Sequence, residues 1–227
     1  MTKSRTFDPI WEDKYSSGHM ERYPWDSVVS FVLKNLPKDK PRSAIHVLEV
    51  GCGTGSNLWF AAREGLSVSG VDGSESAINA AKLRFKEEGL LGDLRIADFT
   101  SLPFEDKYFD LVIDRGALVC CGFSVCKLAI SEIHRVMKKG GRFFFNPYSD
   151  RHSSYSAGIP GLDGLILGIS AGSMVGVGQI CLYGRQQVEL ALGDFRIVSL
   201  QHSEHTEMLN PGWMVHAEWR AIAEKVE

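Results

Sequence analysis

The run Glu49-Val50-Gly51-Cys52-Gly53-Thr54-Gly55 constrains this chain more than any other segment. Three glycines at alternate positions follow the apolar stretch Ile45-His46-Val47-Leu48. They precede Asn57-Leu58-Trp59-Phe60-Ala61-Ala62, whose small-residue face suits a packed helix. The segment reads as a strand, a tight turn and a helix start. Glycine adopts the backbone angles of such a turn without steric cost and lets a ligand approach the main chain. The spacing matches neither common phosphate loop. GxGxxG would need a further glycine near Asn57, and a Walker loop would end in Gly-Lys-Ser/Thr where Ser56-Asn57 stands.

The rest of the chain alternates in the same way. Apolar residues at helical spacing predict a helix over 25–33, introduced by Pro24 and ended by Pro37 and Pro41. Strands are expected at 44–50, 66–72, 94–97, 109–114 and 142–145. Helices are expected at 54–64, 74–88 and 127–137, with a Gly140-Gly141 turn after the last. A helix at 185–192 and strands at 195–202 and 215–223 follow, the last two close enough to form a hairpin. The expected fold is α/β and Rossmann-like: a seven-stranded, mostly parallel sheet, a C-terminal antiparallel hairpin and helices on both faces. The 227 residues fit one domain. Within it lie an N-terminal lid or helical segment (1–42), a cofactor-binding core (44–146), an insertion after strand five (147–183) that is a candidate acceptor lid, and a C-terminal helix and hairpin (184–227).

Composition narrows the partners. With 25 basic and 28 acidic residues the net charge is −3, and no long basic run appears. That disfavours a nucleic-acid binder working through a broad positive surface. The N-terminal residues lack the apolar middle of a secretory leader. The softest apolar zone, 159–182, is glycine-rich and carries Pro160, Asp163 and Gln179, so it suits a packed insertion or a homodimer contact better than a membrane helix. Cys52, Cys120, Cys121, Cys126 and Cys181 form no CxxC pair set. Buried, reduced thiols in a cytoplasmic protein are expected, and no metal site.

In an open α/β sheet the ligand sits at the C-terminal strand ends, near the change in strand order. Asp72 ends the second expected strand, where a carboxylate can accept two hydrogen bonds from a ribose diol. That placement also fits a nicotinamide-dependent oxidoreductase. The glycine run, the stretch Asp98-Phe99-Thr100-Ser101-Leu102-Pro103-Phe104 and the segment Glu132-Ile133-His134-Arg135-Val136-Met137-Lys138-Lys139-Gly140-Gly141 together resemble the class I S-adenosylmethionine-dependent methyltransferases of small-molecule type, related to the ubiquinone/menaquinone group. Their motifs read E/D-x-G-x-G-x-G, D-x-x-x-L-P-F and E-x-x-R-V-L-K-P-G-G. Met137 and Lys139 depart from the last at positions that touch no cofactor.

The resemblance implies S-adenosylmethionine as cofactor. It implies that Gly51, Cys52, Gly53 and Gly55 wrap the methionine and sugar, with Glu49 near the methionine ammonium. Asp72 and Gly73 would hold the ribose, Asp98 the adenine amine and Phe99 the ring, while Asp114 would face the methionine portion or the entrance to the acceptor pocket. Tyr15, from a segment expected to fold over the cofactor as a lid, would reach the carboxylate or the sulfonium. The expected activity is methyl transfer to oxygen or nitrogen of a small, anionic metabolite. Arg22, Tyr23, Arg115, Tyr148, Arg151 and Tyr155 are the candidate acceptor contacts, because arginine's fork suits carboxylate and phosphate groups. His19, His152 and His202 are the candidate bases. A noncatalytic partner protein that keeps the fold is the other alternative.

Overall fold

The computed structural model describes residues 6–209 and 214–227. Along them run α1 (Ile10–Ser16), α2 (Asp26–Lys34), β1 (His46–Val50), α3 (Ser56–Arg63), β2 (Ser67–Asp72), α4 (Glu75–Glu87), β3 (Asp93–Ile96) and β4 (Phe109–Asp114). Then follow α5 (Phe123–Val136), β5 (Met137–Phe145), β6 (Ile159–Pro160), β7 (Leu165–Leu167), β8 (Gln179–Cys181), α6 (Arg185–Ala191), β9 (Arg196–Thr206) and β10 (Val215–Glu224).

Seven strands form one sheet in the order β3-β2-β1-β4-β5-β10-β9. β1 to β5 are mutually parallel, and β10 runs antiparallel between β5 and β9. Both faces are covered, which is why the central strands read as continuous apolar runs rather than alternating ones. Val47, Leu111, Ile113 and Phe144 pack on one side with Val28 and Phe31 of α2, Leu58 of α3 and Ile78 of α4. Leu48, Val112, Phe143 and Phe145 pack on the other with Ile130 and Ile133 of α5. The strand order turns back between β1 and β4, and their C-terminal ends open the crevice in which such sheets bind ligands.

Three features depart from the sequence expectation. α5 begins at Phe123, before the expected 127, because its N-terminus is capped from far away. The Asp163 carboxylate accepts the Ser124 amide at 3.0 Å and the Ser124 hydroxyl as well. β5 begins at Met137, and Gly140-Gly141 lies inside it as an irregularity rather than before it as a turn. Phe109 pairs with Met137 while Leu111 pairs with Arg142. The lid segment contains the helix α1, which no periodicity in so short a stretch announces; its residues 1–5 lie outside the described residues.

The insertion is built around a second, three-stranded antiparallel sheet, β6-β7-β8. Ile166, Ile169, Met174 and Ile180 join the main core from it. Its glycines make turns, with Gly164, Gly168, Gly172, Gly176 and Gly178 all at positive φ.

Candidate functional site

β1 delivers the chain into the glycine turn. Gly51, Gly53 and Gly55 take φ of +65°, +51° and +76°, a region that side chains disfavour. Space is equally limiting. A Cβ on Gly51 would stand 2.1 Å from the Ala117 Cβ, and one on Gly53 would stand 2.6 Å from the Tyr15 hydroxyl oxygen. The end of β2 fixes the turn from the side. Buried Asp72 accepts the Gly53 amide at 2.8 Å and the Ser74 amide at 2.8 Å. Burial raises its carboxyl pKa, and the two amides oppose that rise.

Two more carboxylates are buried nearby. Glu49 accepts the Asn57 side-chain amide at 2.6 Å through Oε1, while its buried Oε2 has no partner among the described residues. Burial pushes this carboxyl up to about 8, the Asn57 bond working against it. Asp114 caps the turn after β4, accepting the amides of Ala117 at 3.0 Å and Leu118 at 2.9 Å through one oxygen. Its other oxygen is buried without a partner among the described residues, and burial raises its pKa to about 6.

A two-lobed cleft opens over these strand ends. The first lobe, about 600 Å³, lies between Phe7, Trp11, Asp72, Phe99, Ala117 and Cys120. The second, about 400 Å³, is bordered by Trp25, Glu49, Thr54 and Asn57. Tyr15, Gly51 and Arg115 border both lobes. The roof is the N-terminal segment. Phe7 lies against Gly73, where a Cβ would come within 2.4 Å of its ring. Asp8 accepts the Ile10 amide at 3.1 Å and the Gln179 amide of β8 at 3.3 Å. Glu12 accepts the hydroxyls of Ser74 (2.5 Å) and Ser76 at the start of α4.

Most of the expected cofactor residues converge on this cleft: Tyr15, Glu49, Gly51, Cys52, Gly53, Asp72, Gly73 and Phe99 line it. Gly55 shapes the turn beneath, packed on Ala81. Asp98 is exposed and lines neither lobe; its carboxylate accepts the Thr100 amide at 2.8 Å and hydroxyl at 2.7 Å. Of the acceptor candidates only Arg115 reaches the cleft. Tyr148 stands behind it, its ring centroid 5.6 Å from the guanidinium. Arg22 and Tyr23 are exposed and line neither lobe. Arg151 pairs with Glu204 at 2.8 Å on the surface. Tyr155 lines a separate groove beside Phe123 and Leu165.

The three histidines stand outside both lobes. Buried His152 accepts the Ser154 amide at Nδ1 (3.1 Å), which leaves Nε2 as the protonated nitrogen facing the Ser173 hydroxyl. Burial lowers its pKa to about 4. His202 packs against Trp219 with the two rings tilted, centroids 4.3 Å apart, and meets the Ser149 hydroxyl at 2.8 Å. His19 is exposed, its ring 5.5 Å from that of Tyr15. Sequence reasoning missed Phe7, Trp25 and Asn57 as cleft residues, while Trp11 lies in the aromatic-rich segment expected to cover the cofactor. Only the regular offset of Asn57 from the glycine turn offered a signal. The aromatics arrive through tertiary packing. Among the described residues no His, Cys, Asp and Glu side chains group in a way that could hold a metal ion, and no helix is long and apolar enough to cross a membrane.

Comparison with known proteins places this geometry. Residues 47–141 match the methyltransferase domain family. A putative methyltransferase of Geobacillus sp. (strain WCH70) is 30% identical over 146 residues, 64% of this chain and 56% of the relative. The malonyl-[acyl-carrier protein] O-methyltransferase of Erwinia pyrifoliae is 34% identical over 119 residues, 51% of this chain and 42% of the relative. The chain thus spans about half the length of these curated relatives. A crystal structure of a SAM-dependent methyltransferase from Methanosarcina mazei superposes with a TM-score of 0.71 at 20% identity, covering 86% of this chain and 97% of that one. The matched domain spans the glycine turn, and the chain shares almost throughout the fold of the class I S-adenosylmethionine-dependent methyltransferases.

Proposed function

We propose that the chain binds S-adenosylmethionine in the two-lobed cleft and methylates an oxygen or nitrogen of a small, anionic metabolite. The observation that carries this reading is Glu49. A buried carboxylate oxygen without a partner among the described residues borders the second lobe, beside a glycine turn too tight for side chains. Such an orphan is expensive within the protein alone, and a ligand's ammonium group would satisfy it. Asp72 would face the ribose and Phe99 the adenine, in the first lobe. When bound, the cofactor supplies an electrophilic methyl group on a sulfonium. The chain's own residues orient the partners and exclude water, and proximity of that kind can supply much of a rate enhancement.

No histidine lines either lobe, which favours an acceptor atom that needs no base: an oxygen that is already anionic or a neutral amine. Arg115 is the one cationic side chain among the described lining residues, which supports an anionic acceptor. The net charge of −3 supports a small molecule over a nucleic acid. Five free cysteines suit a reducing, cytoplasmic setting. Exposed Ile159 and Leu162 support self-association through 159–182, which sedimentation equilibrium decides. Titration calorimetry with S-adenosylmethionine, S-adenosylhomocysteine and NAD tests the cofactor. Heat from the first two and none from NAD is expected; NAD binding alone sinks the proposal.

A further inference from the structure

Glu218, on β10, is 2% exposed, yet three basic groups share its carboxylate. Arg220 donates to Oε1 at 2.7 Å, Arg115 Nη2 stands 3.4 Å from Oε2 and His216 Nε2 stands 3.7 Å from it. The basic neighbours outweigh burial and hold the carboxyl near 2, so it is anionic at any working pH. Arg115 follows β4 and reaches Glu218 across the end of β5. Its guanidinium carbon lies 4.1 Å from the centroid of the Trp25 ring. The Tyr148 hydroxyl stands 3.5 Å from Nη1.

This is more than a structural ion pair. Arg220 takes the short contact with Glu218, and Arg115 is left with the longer one. Two arginines share one carboxylate, so Arg115 is fixed without being neutralised. The Arg115 side chain is 5% exposed, and its buried Nε–H has no partner among the described residues. A group held this way is a donor prepared for an acceptor that the chain does not supply. The other titratable acids and bases bordering the two lobes among the described residues include the carboxyls of Asp8, Glu21, Glu49 and Asp72, none of which attracts an anion. An anionic ligand group is therefore directed to Arg115.

We propose that Glu218 is a positioning residue: with Trp25 it holds Arg115 as the anion anchor of the cleft, for a carboxylate carried by the cofactor or by the acceptor. The inference rests on the methyltransferase reading above. Titration calorimetry on the full chain, with two ligand pairs that differ at the carboxylate, tests it. The first pair is S-adenosylhomocysteine and its decarboxylated analogue. The second, added to protein saturated with S-adenosylhomocysteine, is benzoate and benzamide. The wild type is expected to prefer the carboxylate in at least one pair by about tenfold, the worth of one charge-assisted hydrogen bond.

Arg115→Gln abolishes that preference, Glu218→Gln reduces it, and Glu218→Asp restores it in part. A merely structural loss would weaken both members of a pair alike. Loss confined to the first pair assigns the cofactor's carboxylate, and loss confined to the second assigns the acceptor's. A wild type without preference in either pair, or a preference that survives Arg115→Gln, overturns the anchor. A preference unchanged in Glu218→Gln overturns the positioning role, and this near-isosteric variant decides the matter if Arg115→Gln does not fold. Failure of the wild type to bind S-adenosylhomocysteine at all is a separate result: it removes the methyltransferase reading, and this inference with it.

Discussion

Glu49 shows how one buried residue ties stability to ligand binding. Its carboxyl titrates near 8 in the fold, above its ordinary range, because burial penalises the charged form. The folded protein therefore binds a proton more tightly there than the unfolded chain. The stabilisation is complete below the ordinary carboxylate range and is lost as pH rises through about 8. Asp114 adds a contribution of the same sign that is lost as pH rises through about 6. Glu218 has the opposite sign: its contribution exists above the ordinary range and fades as pH falls towards 2. Glu49→Gln keeps an oxygen for Asn57 but cannot ionise. We expect this variant to be more stable than the wild type in urea at about pH 8, with the difference vanishing near pH 4. We also expect it to bind S-adenosylmethionine about tenfold more weakly. Equal stability at both pH values would show that Glu49 is not a buried, reluctant carboxylate. The sequence singled out Glu49 by its motif, but not its burial or its free oxygen, which depend on what β2, β4 and α3 place around it.

Among the elements, α1 is the one whose role depends most on partners distant in sequence. Ser74 is the N-cap of α4, accepting the Ala77 amide at 3.1 Å. It also donates to Glu12, 62 residues earlier. Ser74→Ala is expected to lower unfolding free energy by about 1 kcal/mol, as cap removal does. Glu12→Ala leaves that cap intact and removes only the tie between α1 and α4. It is expected to speed release of S-adenosylhomocysteine severalfold in a stopped-flow displacement assay, with little change in thermal midpoint. An unchanged release rate would mean that α1 does not gate the cleft. The start of α4 was legible because its cap is local. The latch was not, because two serines and a glutamate in separate segments form no pattern until the fold brings them together.

At the scale of the whole molecule, Trp219 joins the insertion to the sheet. Its Nε1 donates to the Tyr183 carbonyl at 2.7 Å, and its backbone carbonyl accepts the Asn146 side-chain amide at 2.5 Å. Its own amide donates to the Pro147 carbonyl at 2.8 Å. Trp219→Phe keeps an aromatic ring but replaces the indole with a smaller phenyl and deletes the first bond, at an expected cost of about 1–2 kcal/mol for that bond. Hydrogen exchange should quicken in 147–183 while the amides of β1 and β4 stay protected. Uniform acceleration across the sheet would show instead that the insertion and the core open as one unit.

The strand–turn–helix at the glycine run, the alternation to β5 and the closing hairpin followed from the sequence, because periodicity and glycine chemistry act over a few residues. So did the candidacy of Glu49, Asp72 and Phe99 for the cofactor. The tertiary structure alone decided which arginine enters the cleft, since Arg22, Arg115 and Arg151 are chemically equivalent on paper. It set Arg115 between Trp25 and Glu218, and left Arg151 on the surface with Glu204. It drew His152 into a structural hydrogen bond and brought Phe7, which lies outside the expected lid, over the cleft. Contacts between distant segments are fixed by the packing of whole elements, and one residue's identity carries no record of which distant element will cover it.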